Sequence, residues 1–183
     1  FFLGERASER QLKALSESGA LAGARVVHFA THGLLSGETA QILATRAEPS
    51  LMLSPPETAS SEDDGLLTAS EIATLRLDAD WVILSACNTA TGERGGADGL
   101  SGLSRAFFYA GARAMLVSHW AVDSEATVKL VTKAFEYIAA EPATGRAEAL
   151  RKSMLAMVQR GGRESHPAYW APFVVVGEGG RLN

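Results

Sequence analysis

The sequence predicts an α/β fold in which helices cover both faces of a mostly parallel sheet. Segments rich in β-branched residues alternate with segments of helical spacing along almost all of the 183 residues. The candidate strands, such as the run "WVIL", are continuously apolar, which is typical of parallel strands buried on both faces. A chain of this length is expected to form one domain, covering residues 1–183.

The first half of the chain begins with a helix signal. Ser8 and Gln11 have the spacing of a capping box, and Gly19 stands where the following helix would end. A second capping box, "TASE", begins at Thr68, and two prolines end the short apolar run that starts at Leu51. The predicted elements are a helix over 9–18, buried strands over 24–30 and 51–56, a polar loop over 57–65 and a short helix from 68 to about 75.

The second half contains the strongest strand signal of the chain, "DWVILSA". The glycine-rich segment "TATGERGGADG" that follows it is typical of a loop. Asp123 and Thr144 are both in position to cap a long helix. The predicted elements are a strand over 80–86, a loop over 89–99, a helix over 100–111, a strand over 112–120, helices from 123 to about 140 and from 144 to 160, and a final strand over 171–177.

Composition argues against several classes of partner. A formal net charge of −4 supplies no basic footprint, so we expect no direct binding of nucleic acid. No apolar run approaches the roughly 20 residues that span a bilayer, so we expect no membrane contact. The single cysteine excludes an internal disulfide framework and a multi-cysteine zinc site, and it favours a reducing, cytoplasmic location. The acidic run at 62–64 lacks the ligand spacing of a calcium loop, so neither a metal nor a cofactor is predicted.

His32 and Cys87 are the candidate catalytic residues, since each follows the end of a predicted strand. Ligands of open α/β sheets bind beyond the carboxyl ends of the strands, so these side chains open into one crevice if the two strands are neighbours. The histidine precedes the cysteine by 87 − 32 = 55 residues, close to the separation of about 50 found in caspases. Gly33 lets a backbone N–H face a reacting carbonyl, and with the N–H of Cys87 it would form an oxyanion hole.

The pattern favours thiol-peptidase chemistry over two alternatives. In that chemistry His32 stabilises the Cys87 thiolate and protonates the leaving amine. One alternative is a buried, inert cysteine beside a histidine that only satisfies backbone groups. The other is the phosphate cradle of cysteine phosphatases, which carry an arginine six positions after the cysteine. Here that position is Glu93, with Arg94 one residue too late, and a carboxylate would repel a phosphate.

Four blocks of the sequence resemble the CHAT domain, in the order of that family: "VVHFATHG", "WVILSACNTATGE", "GLSRAFFYAGARAMLVSHWAVD" and "HPAYWAPFVVVG". CHAT domains are caspase-like cysteine peptidases related to separase, and they commonly follow tetratricopeptide (TPR) repeats in bacterial proteins. The resemblance implies a caspase/hemoglobinase-like three-layer sandwich with a mostly parallel central sheet flanked by helices. It also implies endopeptidase activity on a protein or peptide substrate, under the control of an attached sensor region.

Carried over by position, His32 is the catalytic histidine of the family and Cys87 its nucleophile. "SHW" (118–120) stands where the family usually has serine, leucine and tryptophan. Ser118, Trp120 and Asp123 follow the next strand, so we expect them to line the substrate pocket. Core packing remains the alternative for Trp120, and helix capping remains the alternative for Asp123.

Other residues of these motifs have structural interpretations. His166 and Trp170 are expected to be structural, and His28 is expected to point into the sheet because it lies inside its strand. Arginine-directed relatives of caspases often carry an aspartate two residues before the cysteine, where this sequence has Ser85. Asp123 or acidic loop residues are the remaining candidates for binding a basic substrate side chain, and the cleavage site stays open.

The sequence thus predicts a cysteine endopeptidase that an attached sensor or TPR region, or a partner, switches on. The chain opens on "FFLGERASERQLKAL" without an initiator methionine or a signal cleavage pattern, so we expect it to be a piece of a longer polypeptide. The segment 89–99 is expected to become ordered before substrate docks. The alternative function is a catalytically silent protein-interaction module that keeps the architecture of a peptidase.

Overall fold

The computed structural model describes residues 1–43, 48–60, 62–85, 102–120 and 122–181. In these ranges it has seven strands and six α-helices. The strands are β1 (Val26–Phe29), β2 (Gly33–Leu34), β3 (Ser50–Met52), β4 (Leu66–Thr68), β5 (Trp81–Leu84), β6 (Ala114–Ser118) and β7 (Phe173–Gly177). The helices are α1 (Glu9–Glu17), α2 (Ser36–Leu43), α3 (Ala69–Thr74), α4 (Gly102–Tyr109), α5 (Ser124–Ala140) and α6 (Arg146–Arg160), with short 3-10 turns at Gly4–Arg6, Arg163–Ser165 and Pro167–Tyr169.

The central sheet has the strand order β1-β5-β6-β7 and is mostly parallel. β1, β5 and β6 run in the same direction, and β7 pairs antiparallel with β6. The predicted strands 24–30, 80–86, 112–120 and 171–177 all contain one of these four strands. The predicted α/β class with a mostly parallel sheet is therefore confirmed.

Helices cover both faces of this sheet and make a three-layer sandwich. Val82 and Leu84 of β5 lie in the core cluster that also contains residues of α3 and α4. Trp81 and Ile83 face the other way, into the cluster formed with α5 and α6. Because both faces are covered, β5 and β6 are buried along their whole length, which explains why they read as continuous apolar runs.

A second, smaller sheet was not predicted. β2, β3 and β4 form a three-stranded antiparallel sheet, so the strand predicted at 51–56 belongs to a separate layer and ends at Met52. β2 has two residues and β4 has three, which is too short for a periodic pattern to reveal them. Helix α2 was also missed.

Three of the four predicted helix caps are present. Ser8 accepts from the N–H of Gln11, Thr68 and Glu71 form a full capping box, and Asp123 accepts from the N–H of Ala126. The cap predicted at Thr144 is wrong. Gly145 is the N-cap residue of α6, and the first helical N–H groups donate instead to the carbonyls of Gly179 and Gly180, while the Thr144 hydroxyl bonds to Glu141. The backbone that follows β7 thus caps α6 in place of a nearby side chain. The sequence around Thr144 does not indicate this long-range cap.

Candidate active site

The strands that precede His32 and Cys87 are direct neighbours. β1 and β5 pair in parallel with Val26 opposite Trp81 and Phe29 opposite Leu84, so their carboxyl ends meet at one edge of the sheet. The pairing continues one step further, where the N–H of Ser85 donates to the carbonyl of Phe29 at 3.0 Å. His32 is the third residue after Phe29, and Cys87 is the third residue after Leu84. Cys87 itself lies outside the described residues, as does the segment 89–99.

The smaller sheet fixes the backbone at His32. The carbonyl of His32 accepts a hydrogen bond of 2.9 Å from the N–H of Met52 in β3, and the Thr31 hydroxyl donates to the carbonyl of Met52. Hydrogen-bonded and non-hydrogen-bonded pairs alternate along an antiparallel ladder. Gly33, paired with Leu51, is therefore a non-hydrogen-bonded position, and its N–H points away from β3. The side chain of His32 is exposed.

β3 is in turn held by the N-terminal segment. The N–H of Ser54 donates to the carbonyl of Ala7 at 3.0 Å, and its hydroxyl donates to the carbonyl of Gly4 at 2.7 Å. Buried Glu9 of α1 accepts from the N–H groups of Asp64 and Gly65, in the turn that leads into β4. The strand that positions His32 is thus attached to the first residues of the chain.

His28 does not point into the sheet interior, which corrects the expectation from its position inside a strand. β1 is an edge strand, so the end of its α5/α6 face is open and His28 is exposed there. Its Nε2 shares a hydrogen bond of 2.7 Å with the hydroxyl of Ser85. Although the residue as a whole is exposed, the protein around the ring removes water from it and lowers the pKa of the imidazole below its ordinary value. The neutral form of His28 is therefore favoured.

The three predicted pocket residues occupy different environments. Ser118 ends β6 and is completely buried, with 0% of its surface exposed. Trp120 is exposed. Asp123 caps α5 through a 2.9 Å hydrogen bond from the N–H of Ala126, and its second oxygen lies 3.8 Å from Nη2 of Arg163. Helix capping, the alternative considered for Asp123, is therefore present in the structure.

The other singled-out residues have structural partners. His166 accepts a hydrogen bond from the N–H of Ala168 at the start of a 3-10 turn, and the Trp170 indole donates to the carbonyl of Ser165. In the acidic run, Asp63 pairs with Arg10, and Asp64 accepts from the N–H of Leu66. Across the described ranges, no three histidine, cysteine, aspartate or glutamate side chains are grouped so as to hold a metal ion.

Sequence reasoning missed the pairing of His28 with Ser85. The two residues are 57 positions apart and become neighbours only through the register of β1 and β5, in which His28 lies opposite Ile83. Ser85 follows two residues after Ile83 and so faces the same side of the sheet. The available signal was a polar residue within each of the two apolar runs at 24–30 and 80–86.

Comparison with known proteins identifies the family of the chain. A sequence model of the CHAT domain matches residues 1–178. The chain belongs to the CHAT domain family. It is similar to tetratricopeptide repeat protein 28 of Mus musculus, with 33% identity over 189 residues, covering 90% of this chain and 8% of that protein. The Homo sapiens protein of the same name is 31% identical over 192 residues, covering 90% of this chain and 7% of the relative.

Both relatives are named as tetratricopeptide repeat proteins. The chain spans less than a tenth of the length of either one, and both come from animals. In the part of the chain that the structure describes, none of the helices combines the length and apolar character needed to cross a bilayer.

Proposed function

We propose that this CHAT domain is a cysteine endopeptidase in which His32 and Cys87 form the catalytic dyad. The observation that carries the proposal is the parallel pairing of β1 and β5, which end side by side at Phe29 and Leu84. Each candidate residue is the third one after its strand, at the edge where open α/β sheets bind their ligands.

The chemistry follows from the roles of the two side chains. The Cys87 thiolate attacks the scissile carbonyl carbon, and His32 protonates the amine as the C–N bond breaks and the acyl-enzyme forms. His32 then takes a proton from water, which attacks the thioester, and the acid product and the free thiol are released. The N–H groups of Gly33 and Cys87 stabilise the negative oxygen of each tetrahedral intermediate.

The geometry at His32 supports these roles. The exposed imidazole is accessible to a substrate, while its backbone is held by the bond from Met52. The N–H of Gly33 is directed away from β3, as an oxyanion donor requires.

We propose further that an attached TPR region or a partner controls the activity. The two relatives are TPR proteins, and the chain matches a small part of each. The contacts of Gly4 and Ala7 with Ser54 support this proposal, because they connect the first residues of the domain to the strand beside His32.

The test compares cleavage by the full-length protein with that by Cys87→Ala and His32→Ala variants, in the presence of its TPR region. New peptide N-termini are counted by mass spectrometry after incubation with a cell extract that contains candidate partners and substrates. We expect each substitution to lower the cleavage rate by about 10³-fold or more, and His166→Ala to leave it unchanged. Undiminished cleavage by both site variants would rule out the dyad.

The reactivity of the thiol separates the peptidase from a silent interaction module. Cys87 is the only cysteine of the chain, so the rate of alkylation by iodoacetamide reports on it alone. A peptidase thiol paired with His32 has a pKa below the ordinary value of about 8.5, and His32→Ala raises it again. An ordinary pKa that His32→Ala does not change supports the interaction module instead.

A further inference from the structure

His28 and Ser85 form a polar pair at the site edge that the dyad does not use. Their hydrogen bond of 2.7 Å crosses from β1 to the end of β5, on the face of the sheet that packs against α5 and α6. His28 is exposed and Ser85 is half-buried. Ser118, which the sequence predicted for the pocket, is fully buried and therefore unavailable to a substrate in this arrangement.

The pair lies close to the nucleophile in the chain. Ser85 is two residues before Cys87, and two residues span at most about 7 Å of extended chain. A side chain bound at Ser85 therefore belongs to a substrate residue next to the scissile bond. This step rests on the proposed function, because it takes Cys87 as the nucleophile.

The hydrogen-bonding capacity of the pair is the same in either tautomer. If Nε2 of His28 donates to Ser85, then Nδ1 is left as an acceptor and the Ser85 O–H as a donor. If the Ser85 hydroxyl donates to Nε2, then Nδ1–H is left as a donor and Oγ as an acceptor. One donor and one acceptor remain in both cases, and a carboxamide side chain offers the matching acceptor and donor.

Charged side chains match the pair less well. A guanidinium only donates and a carboxylate only accepts, so either one leaves a group of the pair unsatisfied. No charged side chain in the described ranges hydrogen-bonds to His28 or Ser85 and could balance the charge of a substrate. Asp123, the candidate for binding a basic residue, already caps α5 and lies near Arg163.

We propose that His28 and Ser85 determine specificity, by binding the carboxamide of a glutamine or asparagine next to the scissile bond. Both residues contact the substrate side chain and leave the dyad to carry the chemistry. The predicted preference is for an uncharged, hydrogen-bonding residue over a basic or an acidic one.

The experiment measures alkylation of Cys87 by peptidyl fluoromethyl ketones that differ only in the residue next to the ketone: glutamine, glutamate, arginine or norleucine. The protein is the full-length chain with its TPR region, and chloroacetamide serves as a reagent without a peptide. We expect the glutamine reagent to react about tenfold faster than each of the others. His28→Ala and Ser85→Ala should reduce that ratio to within about threefold, after each peptide rate is divided by the chloroacetamide rate of the same variant.

Matched variants keep the test decisive. Ser85→Thr retains the hydroxyl and should keep the glutamine preference, and His166→Ala removes an exposed imidazole elsewhere and should also keep it. If His28→Ala does not fold, the Ser85→Ala and Ser85→Thr variants carry the comparison.

The two proposals fail in different ways. A wild-type protein that reacts with no peptide reagent faster than with chloroacetamide overturns the peptidase site and this specificity together. A protein that reacts with the peptides but prefers arginine or glutamate, or keeps its ratio in both alanine variants, overturns the specificity alone.

Discussion

The two ends of the central sheet are built from different chemistry. At the amino ends of the parallel strands, buried Asp80 pairs with Arg25 at 2.8 Å and with Arg113 at 3.2 Å. Arg146, only 1% exposed, donates to the carbonyls of Asp80 and Glu178. At the carboxyl ends of the same strands, the polar groups that the structure describes include the uncharged pair of His28 with Ser85 and the exposed His32.

Under the proposed function, this difference separates the residues that stabilise the sheet from those that carry the chemistry. Charge-assisted hydrogen bonds hold the amino ends of β1, β5 and β6 in register through residues that directly precede each strand. The carboxyl end of β1 exposes His28, and His32 follows it at the surface, as the proposed substrate site requires. Substitutions at the amino end should therefore change folding stability, and those at the carboxyl end should change reactivity.

Arg146→Ala should give the largest stability effect. It removes two charged hydrogen bonds to backbone carbonyls, one of them on buried Asp80, and leaves a cavity, so we expect the free energy of unfolding to fall by about 3 kcal/mol. Urea denaturation measures the change. Arg151→Ala is the matched control on the same helix, because its ion pair with Glu148 is exposed and contributes little to stability. Equal losses in the two variants would contradict the structural role of the amino end.

Asp123→Ala should have an intermediate effect and shows whether a residue near the carboxyl end acts only as a cap. Loss of its bond to the N–H of Ala126 should destabilise the protein by about 1 kcal/mol, whereas Asp123→Ser retains an acceptor and should recover most of that. Thermal unfolding measures both variants. If Asp123 lines the substrate pocket as well, the serine variant will regain stability but not its rate of reaction with peptide reagents.

The pH dependence of His28 should be the smallest effect. Its folded-state pKa lies below the unfolded value near 6.5, so its contribution to stability is complete above that pH and is lost as the pH falls through the folded pKa. Between pH 7.5 and 5.0, the wild-type protein should thus lose more stability than His28→Gln. The comparison uses denaturant unfolding at both values, with His166→Gln as the matched control. Identical losses in wild type and His28→Gln would mean that the His28 environment is the same in both states.

Local signals in the sequence were sufficient for most of the central sheet. The capping patterns at Ser8, Thr68 and Asp123 each act within four residues, and the strands of the central sheet carry uninterrupted apolar runs. Both kinds of signal are present in the chain before it folds. The smaller sheet could not be predicted because β2 and β4 depend on pairing with β3, which brings together residues 14 or more positions apart.

The candidate site shows the same limit. The positions of His32 and Gly33 follow from the end of one apolar run, and the structure adds the bond from Met52 that holds them. The exposure of His28 depends on β1 being the edge strand, and its partner Ser85 depends on the register with β5. Neither the strand order nor the register can be read from the β1 or the β5 segment alone. The pair of His28 with Ser85 could therefore be identified only in the folded structure.

The attachment of β3 to the N-terminal segment has a mechanical consequence. A force that pulls residues 4–7 away from the domain acts first on the two bonds that Ser54 donates, and through the short β3 strand on the Met52–His32 bond. The four strands of the central sheet lie outside this route. Tension on the first residues would therefore be transmitted to the backbone at His32.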